Sequence, residues 1–370
     1  MKILELTNYS AGPCGVGARV KYESVFLSKK GHEVRIFSSN LTKGNNEIAA
    51  EEDKIDQVLI KRFPAKKIGG ESYMKWDFKK DAMDFKPDVI IAHSYRHPHT
   101  LVALDIAKEL GCKVFLVTHA PFGEGNRSLV GKLAVRWYDS FIGPRRRLKE
   151  FTKVIAISKW EIPFIKKLGV AEDKIELIPN GIIREFFVLP KNKEENKILY
   201  FGRVSPIKDI ETLLSAFALI RDKKISLEIA GGAEEEYLNK LTKIVEEKKL
   251  GERVSFTGAV YKTLDKIKKL DSARAYILPS LREGMPQTLI EAMAREKIVI
   301  ASKTQGAMDL IEDGKNGYLF EIEDFAGLAK KINLVLESDE NKEMKKTARK
   351  SVEEFEWSRI ADKIEKLINS

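Results

Sequence analysis

Cysteine is almost missing from this chain: Cys14 and Cys112 are the only two in 370 residues. Two thiols so far apart imply neither a disulfide framework nor a zinc site, so a reducing, cytoplasmic setting is expected. Long apolar runs are missing too; none comes near the roughly 18 consecutive residues that cross a bilayer. The opening MKILELTNYS reads as a first strand and carries no signal-peptide pattern. No D-x-D carboxylate pair occurs, and no metal site is expected. The dinucleotide fingerprint G-x-G-x-x-G is also missing. Gly12, Gly15 and Gly17 follow the first strand in the order G-x-x-G-x-G, and the second strand ends in Ser38-Ser39 instead of an acidic residue. A nicotinamide site is therefore disfavoured.

What is present supports a full core, with 43% hydrophobic and 32% charged residues. Net charge is +10, and the excess lies almost wholly in residues 1–185. A basic half-molecule attracts nucleic acid, an anionic membrane face or an anionic substrate, or it is simply a solvated surface. No nucleic-acid recognition motif occurs, and no nucleic-acid partner is expected. Residues 128–149 mix Leu129, Leu133, Trp137, Phe141 and Ile142 with Lys132, Arg136 and Arg145–Arg147. That pattern fits peripheral contact with an anionic membrane on its inner face, and equally an ordinary helix with a basic end.

Short apolar strands alternate with helical segments throughout, the pattern of βαβ units and parallel sheets. Strands are expected at 3–7, 34–38, 58–62, 88–93, 113–118 and 154–157. A second set falls at 197–201, 226–230, 254–257, 275–278, 298–301 and 317–320. The polar stretch 188–196, VLPKNKEEN, has no apolar periodicity and reads as a linker between domains 1–187 and 197–356. In residues 357–370, Trp357, Ile360, Ile364 and Leu367 recur at helical spacing. Ligands of doubly wound sheets bind beyond the carboxyl ends of the strands, and the distinctive residues cluster there. Gly202, Arg203 and Lys208 follow one strand, and Gly258 ends another. His119 follows a third, after a loop containing His93, Tyr95, Arg96, His97 and His99, whose spacing is not that of a zinc site. Residues 279–295, PSLREGMPQTLIEAMAR, place Glu283 in a loop and Glu291 about two turns into a helix starting near Pro286. A helix N-terminus there favours a phosphate, and carboxylates favour sugar hydroxyls.

The E-x7-E spacing of Glu283 and Glu291, with the upstream G-R-x4-K of Gly202, Arg203 and Lys208, resembles the retaining glycosyltransferases of the GT-B fold. The likeness is closest to the family-4 group, the glycosyl transferases group 1, which use nucleotide-diphosphate sugars. The resemblance implies an α/β protein of two Rossmann-like doubly wound domains facing a cleft, with the C-terminal helix crossing back to the N-terminal domain. Residues 1–187 would bind an acceptor hydroxyl and residues 197–356 the nucleotide-sugar donor. Arg203 and Lys208 would grip the diphosphate, and Gly202 would let backbone approach it. Glu283 would face the sugar ring, with Gly284, Met285 and Pro286 presenting backbone to sugar and phosphate. Gln287 and Thr288 would lie near the phosphate, Glu291 would accept from the ribose hydroxyls, and the Gly258 turn would contact the nucleobase. His119 would touch the donor sugar near the reacting centre. Gly15, Val16 and Gly17 resemble the family's G-P-x-G-G stretch, with Val16 in place of the second adjacent glycine. The resemblance implies no cofactor and front-face transfer, the leaving phosphate helping to deprotonate the acceptor. Uridine carriers are favoured; neither sugar nor acceptor is specified. Two other readings remain: a GT-B nucleotide-sugar epimerase, and a non-catalytic nucleotide-sugar-binding protein.

Overall fold

Runs such as VIIAH and IVIAS are apolar at nearly every position, and each becomes a strand whose residues are all buried. That is the signature of parallel sheets covered on both faces. A computed structural model describes residues 1–44, 47–69, 73–122, 133, 147–338 and 342–370. It divides into two compact units, Met1–Gly181 with Trp357–Ser370, and Ile182–Glu356.

The first unit contains β1 (Lys2–Ala11), β2 (Glu33–Thr42), β3 (Glu52–Ile55), β4 (Val58–Phe63), β5 (Ala65–Gly69), β6 (Tyr73–Trp76), β7 (Val89–His93), β8 (Lys113–Val117), β9 (Lys153–Ala156) and β10 (Ile175–Leu177). Its eight-stranded sheet runs β10-β9-β8-β7-β1-β2-β4-β3. Pairing is parallel except at the edge, where β3 lies antiparallel to β4. Strands β5 and β6 form a separate antiparallel ribbon. The order changes direction around β1, and β1 and β7 end in the residues that matter below.

The second unit contains β11 (Lys197–Phe201), β12 (Ser226–Ala230), β13 (Val254–Phe256), β14 (Ala275–Leu278), β15 (Ile298–Ser302) and β16 (Tyr318–Phe320). All its pairs are parallel, in the order β13-β12-β11-β14-β15-β16. Helices Ile210–Ala218, Thr263–Ser272, Gln287–Ala294 and Phe325–Glu337 bury apolar faces in its core.

The second unit begins at Ile182, earlier than the 188–196 join read from the sequence. Ile182, Phe186 and Phe187 are buried in its core. The polar stretch that follows is also held there: the Asn192 backbone N–H donates to Asp271 (2.9 Å) and that of Glu195 to the Ser272 carbonyl (2.8 Å). A polar composition marks an exposed segment here, not the division between units.

The helix Trp357–Asn369 belongs to the first unit. Trp357 stacks on Tyr22 and Phe26 of helix Gly15–Lys29, with ring centroids 5.7 and 6.3 Å away. Lys30 pairs with Asp362 and Glu365 at 2.6 and 2.7 Å.

Among the described residues no helix is long and apolar enough to cross a membrane. The basic, aromatic segment 128–149 lies outside the described residues except for 133 and 147–149, so the expected membrane contact is not addressed by the fold.

Candidate active site

In the second unit, three strands end side by side and their loops are laced together. The Gly202 N–H donates to the Ala230 carbonyl (2.9 Å), the Val204 N–H to Gly232 (2.8 Å) and the Gly231 N–H to Gly258 (2.8 Å). A Cβ at Gly231 would run into the Gly202 carbonyl oxygen, so only glycine allows this approach. Gly258 adopts a left-handed φ of +69° as β13 turns away. If these loops line a nucleotide site, as the family resemblance implies, Gly231→Ala should pry them apart and weaken nucleotide binding at least as much as it lowers stability. Calorimetry beside thermal unfolding checks this; unchanged affinity would show that the loop juncture does not shape the ligand site.

Arg203 sits at the start of this loop, exposed, and its carbonyl accepts the Tyr200 hydroxyl at 2.6 Å. Its guanidinium makes no hydrogen bond or ion pair among the described residues. The single turn Pro206–Lys208 follows, and Asp209 in a left-handed conformation (φ 48°) caps the next helix by accepting from the Thr212 N–H. Lys208 then reaches the E-x7-E loop: its Nζ lies 2.6 Å from Glu283 Oε1, which also accepts the Ser280 hydroxyl at 2.6 Å. The Leu281 N–H donates to the Ile207 carbonyl (2.9 Å), fixing the two loops against each other. Residues 75 positions apart thus form one charged pair.

The expected helix spans Gln287–Ala294. Pro286 is its capping residue and not part of its first turn, and no side chain caps it. Glu291 therefore lies just past the first turn, not two turns in. It is 6% exposed, and its Oε2 is buried with no hydrogen-bond partner among the described residues. Burial raises its pKa to about 7, against a smaller opposing pull from Lys266. A buried oxygen without a donor is costly and calls for one. The Thr288 hydroxyl meets that of Tyr276 at 2.6 Å. Gly284 and Met285 form the bend ahead of Pro286, and Gln287 opens the helix.

Sequence reasoning missed Gly306. Its N–H donates to the Glu283 carbonyl (3.0 Å), and any side chain on it would strike Gly284. The available signal was a glycine just beyond β15, in KTQGAM. Lys266 was missed too; it lies on helix Thr263–Ser272, far from the motif in sequence.

In the first unit, Gly15, Val16 and Gly17 are the first residues of helix Gly15–Lys29, one residue earlier than expected, and Cys14 caps it. They are not a free loop. Gly17 is packed against the Tyr9 carbonyl, leaving no room for a Cβ, so its lack of a side chain serves helix–strand packing.

His119 follows β8 with a left-handed φ of 58°, and Ala120 follows at 53°. Glu161 holds this corner by accepting the Ala120 N–H at 2.7 Å and the Thr118 hydroxyl at 2.5 Å. His119 Nε2 lies 2.9 Å from His93 Nδ1, and His93 Nε2 lies 2.7 Å from Glu5 Oε2. Both Glu5 and His93 are 0% exposed. His97 caps helix Pro98–Leu110, and its Nδ1 accepts from Asn8 at 3.0 Å. His99 is a core residue: its Nε2 donates to the His93 carbonyl (2.7 Å), and burial lowers its pKa to about 3. Glu5, Glu23 and His93 also converge tightly enough to suit a metal ion. Arg19 already supplies the positive charge, with its Nε 3.1 Å from Glu23.

Residues 182–351 match the family described as "Glycosyl transferases group 1", and residues 13–186 match "Glycosyltransferase Family 4". Similar curated proteins include a Campylobacter jejuni alpha-1,4-N-acetyl-D-galactosaminyltransferase, 36% identical over 48% of this chain and 48% of its own length. The capsular polysaccharide biosynthesis glycosyltransferase CapM of Staphylococcus aureus is 28% identical over 59% of this chain and 62% of its own length. The match thus spans roughly half to two-thirds of these two relatives. Among solved structures, a sucrose-phosphate synthase from Thermosynechococcus elongatus superposes with a TM-score of 0.80 at 20% identity, covering 100% of this chain and 98% of that one. Anabaena HepE, solved with UDP and glucose, superposes with a TM-score of 0.77 at 18% identity, covering 100% and 99%. The two-unit α/β fold is that of the GT-B class. The chain belongs to the family-4 glycosyltransferases, as both matched halves show.

Proposed function

We propose that this protein is a retaining glycosyltransferase that moves a hexosyl group from a nucleotide-diphosphate sugar, a UDP-sugar by preference, to an acceptor hydroxyl. The observation that carries the reading is the joined Lys208–Glu283 pair. It sets one cation and one carboxylate side by side in the same unit as Arg203, whose guanidinium has no partner among the described residues.

Breaking the anomeric bond leaves negative charge on the diphosphate and positive charge on the sugar. Arg203, Lys208 and the uncapped N-terminus of helix Gln287–Ala294 stabilise the first. Glu283 orients the second, and Glu291 accepts from the ribose hydroxyls through its partnerless oxygen. The two cations take the neutralising role, with no metal required by this scheme. His119 contacts the donor sugar. The acceptor is a glycan, lipid-linked or small-molecule hydroxyl, and no cofactor takes part.

A thermal-shift and calorimetric screen of uridine, guanosine and adenosine diphosphate sugars tests the reading. A UDP-sugar is expected to bind and to be consumed only with an acceptor. Isomerisation of the donor alone would make the protein an epimerase instead. If no nucleotide sugar binds, the reading fails.

Glu291 adds a pH signature. Its raised pKa leaves it largely protonated below about pH 7 and ionised above. An ionised carboxylate is the better acceptor for two hydroxyls, so nucleotide affinity should rise as pH climbs through about 7 and then level off. Glu291→Gln should weaken binding and flatten that rise. A rise that persists in the variant would assign it to another group.

A further inference from the structure

The first unit hides a chain of ionisable groups of which the transfer scheme uses only the last, His119. Glu5 on β1, His93 at the end of β7 and His119 beyond β8 form a continuous hydrogen-bonded line, with steps of 2.7 and 2.9 Å. Glu23 and Arg19, from helix Gly15–Lys29, lie against its inner end. His97 and His99 approach from helix Pro98–Leu110, and Glu161 braces the His119 corner.

Counting charge in this buried volume decides how the line is protonated. Two carboxylates, Glu5 and Glu23, share one guanidinium. Glu23 takes it directly, with its Oε2 3.1 Å from Arg19 Nε, while Arg19 NH1 turns to the Ile178 carbonyl and Asn180. Glu5 receives no such bond, and its Oε1 has no hydrogen-bond partner among the described residues. A second buried negative charge with nothing to balance it is expensive, so Glu5 holds a proton. Burial and the neighbouring Glu23 both push its pKa well up, against the smaller pull of Arg19. Burial likewise pushes His93 well down, with His119 and Arg19 adding to the effect, so His93 is neutral.

We infer that Glu5 and His93 are positioning residues that fix His119 in one tautomer. Glu5, as the neutral acid, donates to His93 Nε2; His93 donates from Nδ1 to His119 Nε2; and His119 keeps its own proton on Nδ1. His119 Nδ1 makes no hydrogen bond among the described residues, so the line ends in an oriented N–H donor. Such a donor suits a hydroxyl or phosphate oxygen of the substrate and does not act as a base. This use of His119 rests on the reading that it meets the donor sugar.

The direct test is the histidine side-chain ¹⁵N spectrum of the full chain at neutral pH. His119 and His93 are both expected as single tautomers protonated on Nδ1. A His119 protonated on Nε2, or shifts averaged over two tautomers, would overturn the inference. Glu5→Gln should keep the His119 tautomer, because an amide N–H replaces the acid O–H. Glu5→Met, which cannot donate, should release it to a mixture; should that variant not fold, the wild-type spectrum alone decides. In transfer assays, His93→Leu should lower kcat and kcat/KM together, on the order of tenfold to a hundredfold. The expected tautomer in a protein that transfers no sugar would sink the donor-sugar reading and leave the relay standing. Transfer activity with mixed tautomers would do the reverse.

Discussion

Lys208→Ala is expected to lower kcat/KM by at least a hundredfold. Loss of one preorganised donor to a developing anion costs about 3 kcal/mol, which is roughly a hundredfold in rate. The geometry adds to that cost. Lys208 lies 2.6 Å from Glu283, whose carboxylate is 10% exposed and otherwise meets the Ser280 hydroxyl. Removing the ammonium leaves that carboxylate unneutralised beside the arriving diphosphate, where like charges repel. The effects of Lys208→Ala and Glu283→Gln should therefore not add, and the double variant should bind nucleotide diphosphate better than Lys208→Ala alone. Steady-state kinetics of the singles and calorimetry of the double check this. A near-wild-type rate for Lys208→Ala removes the lysine from the site, and strict additivity dissolves the pair.

Trp357→Ala is expected to destabilise the first unit by about 3–5 kcal/mol, the range for truncating a buried tryptophan. Trp357 is 2% exposed, is stacked by Tyr22 and Phe26, and lies so close to Gly181 that a Cβ there would enter its ring. The surface pairs of Lys30 with Asp362 and Glu365 should add little, as exposed ion pairs do. Denaturant unfolding followed by probes in each unit should show the first transition moved and the second unmoved. A loss confined to the second unit would contradict the placement of helix Trp357–Asn369.

The strands carrying the core were legible because burial on both faces leaves an unmistakable apolar run, as in IVIAS and VIIAH. Strands β3, β5, β6 and β10 were not read. EDKI is a charged edge strand, IEL has three residues, AKKIG is mostly exposed, and YMKW, which buries Met74 and Trp76, is too short for its alternation to stand out. The site shows the same divide. Arg203, Lys208, Glu283 and Glu291 stood out because their G-R-x4-K and E-x7-E spacings resemble those of a known family. The contact between Lys208 and Glu283 is set by tertiary packing that no local spacing encodes. Glu5 offered one overlooked clue: a carboxylate in KILELTNYSA, a strand whose other interior residues are apolar or neutral. Gly17 misled, since a glycine after a strand suits a phosphate loop and helix–strand packing alike.

The sharpest check on the role of the two cations is the affinity difference between UDP and uridine, read by calorimetry in wild type and in the Arg203→Ala/Lys208→Ala variant. A strong wild-type preference for the diphosphate that collapses in the variant is the expected result. A preference that survives intact would mean that other groups hold the phosphates, and the proposed chemistry would fall with it.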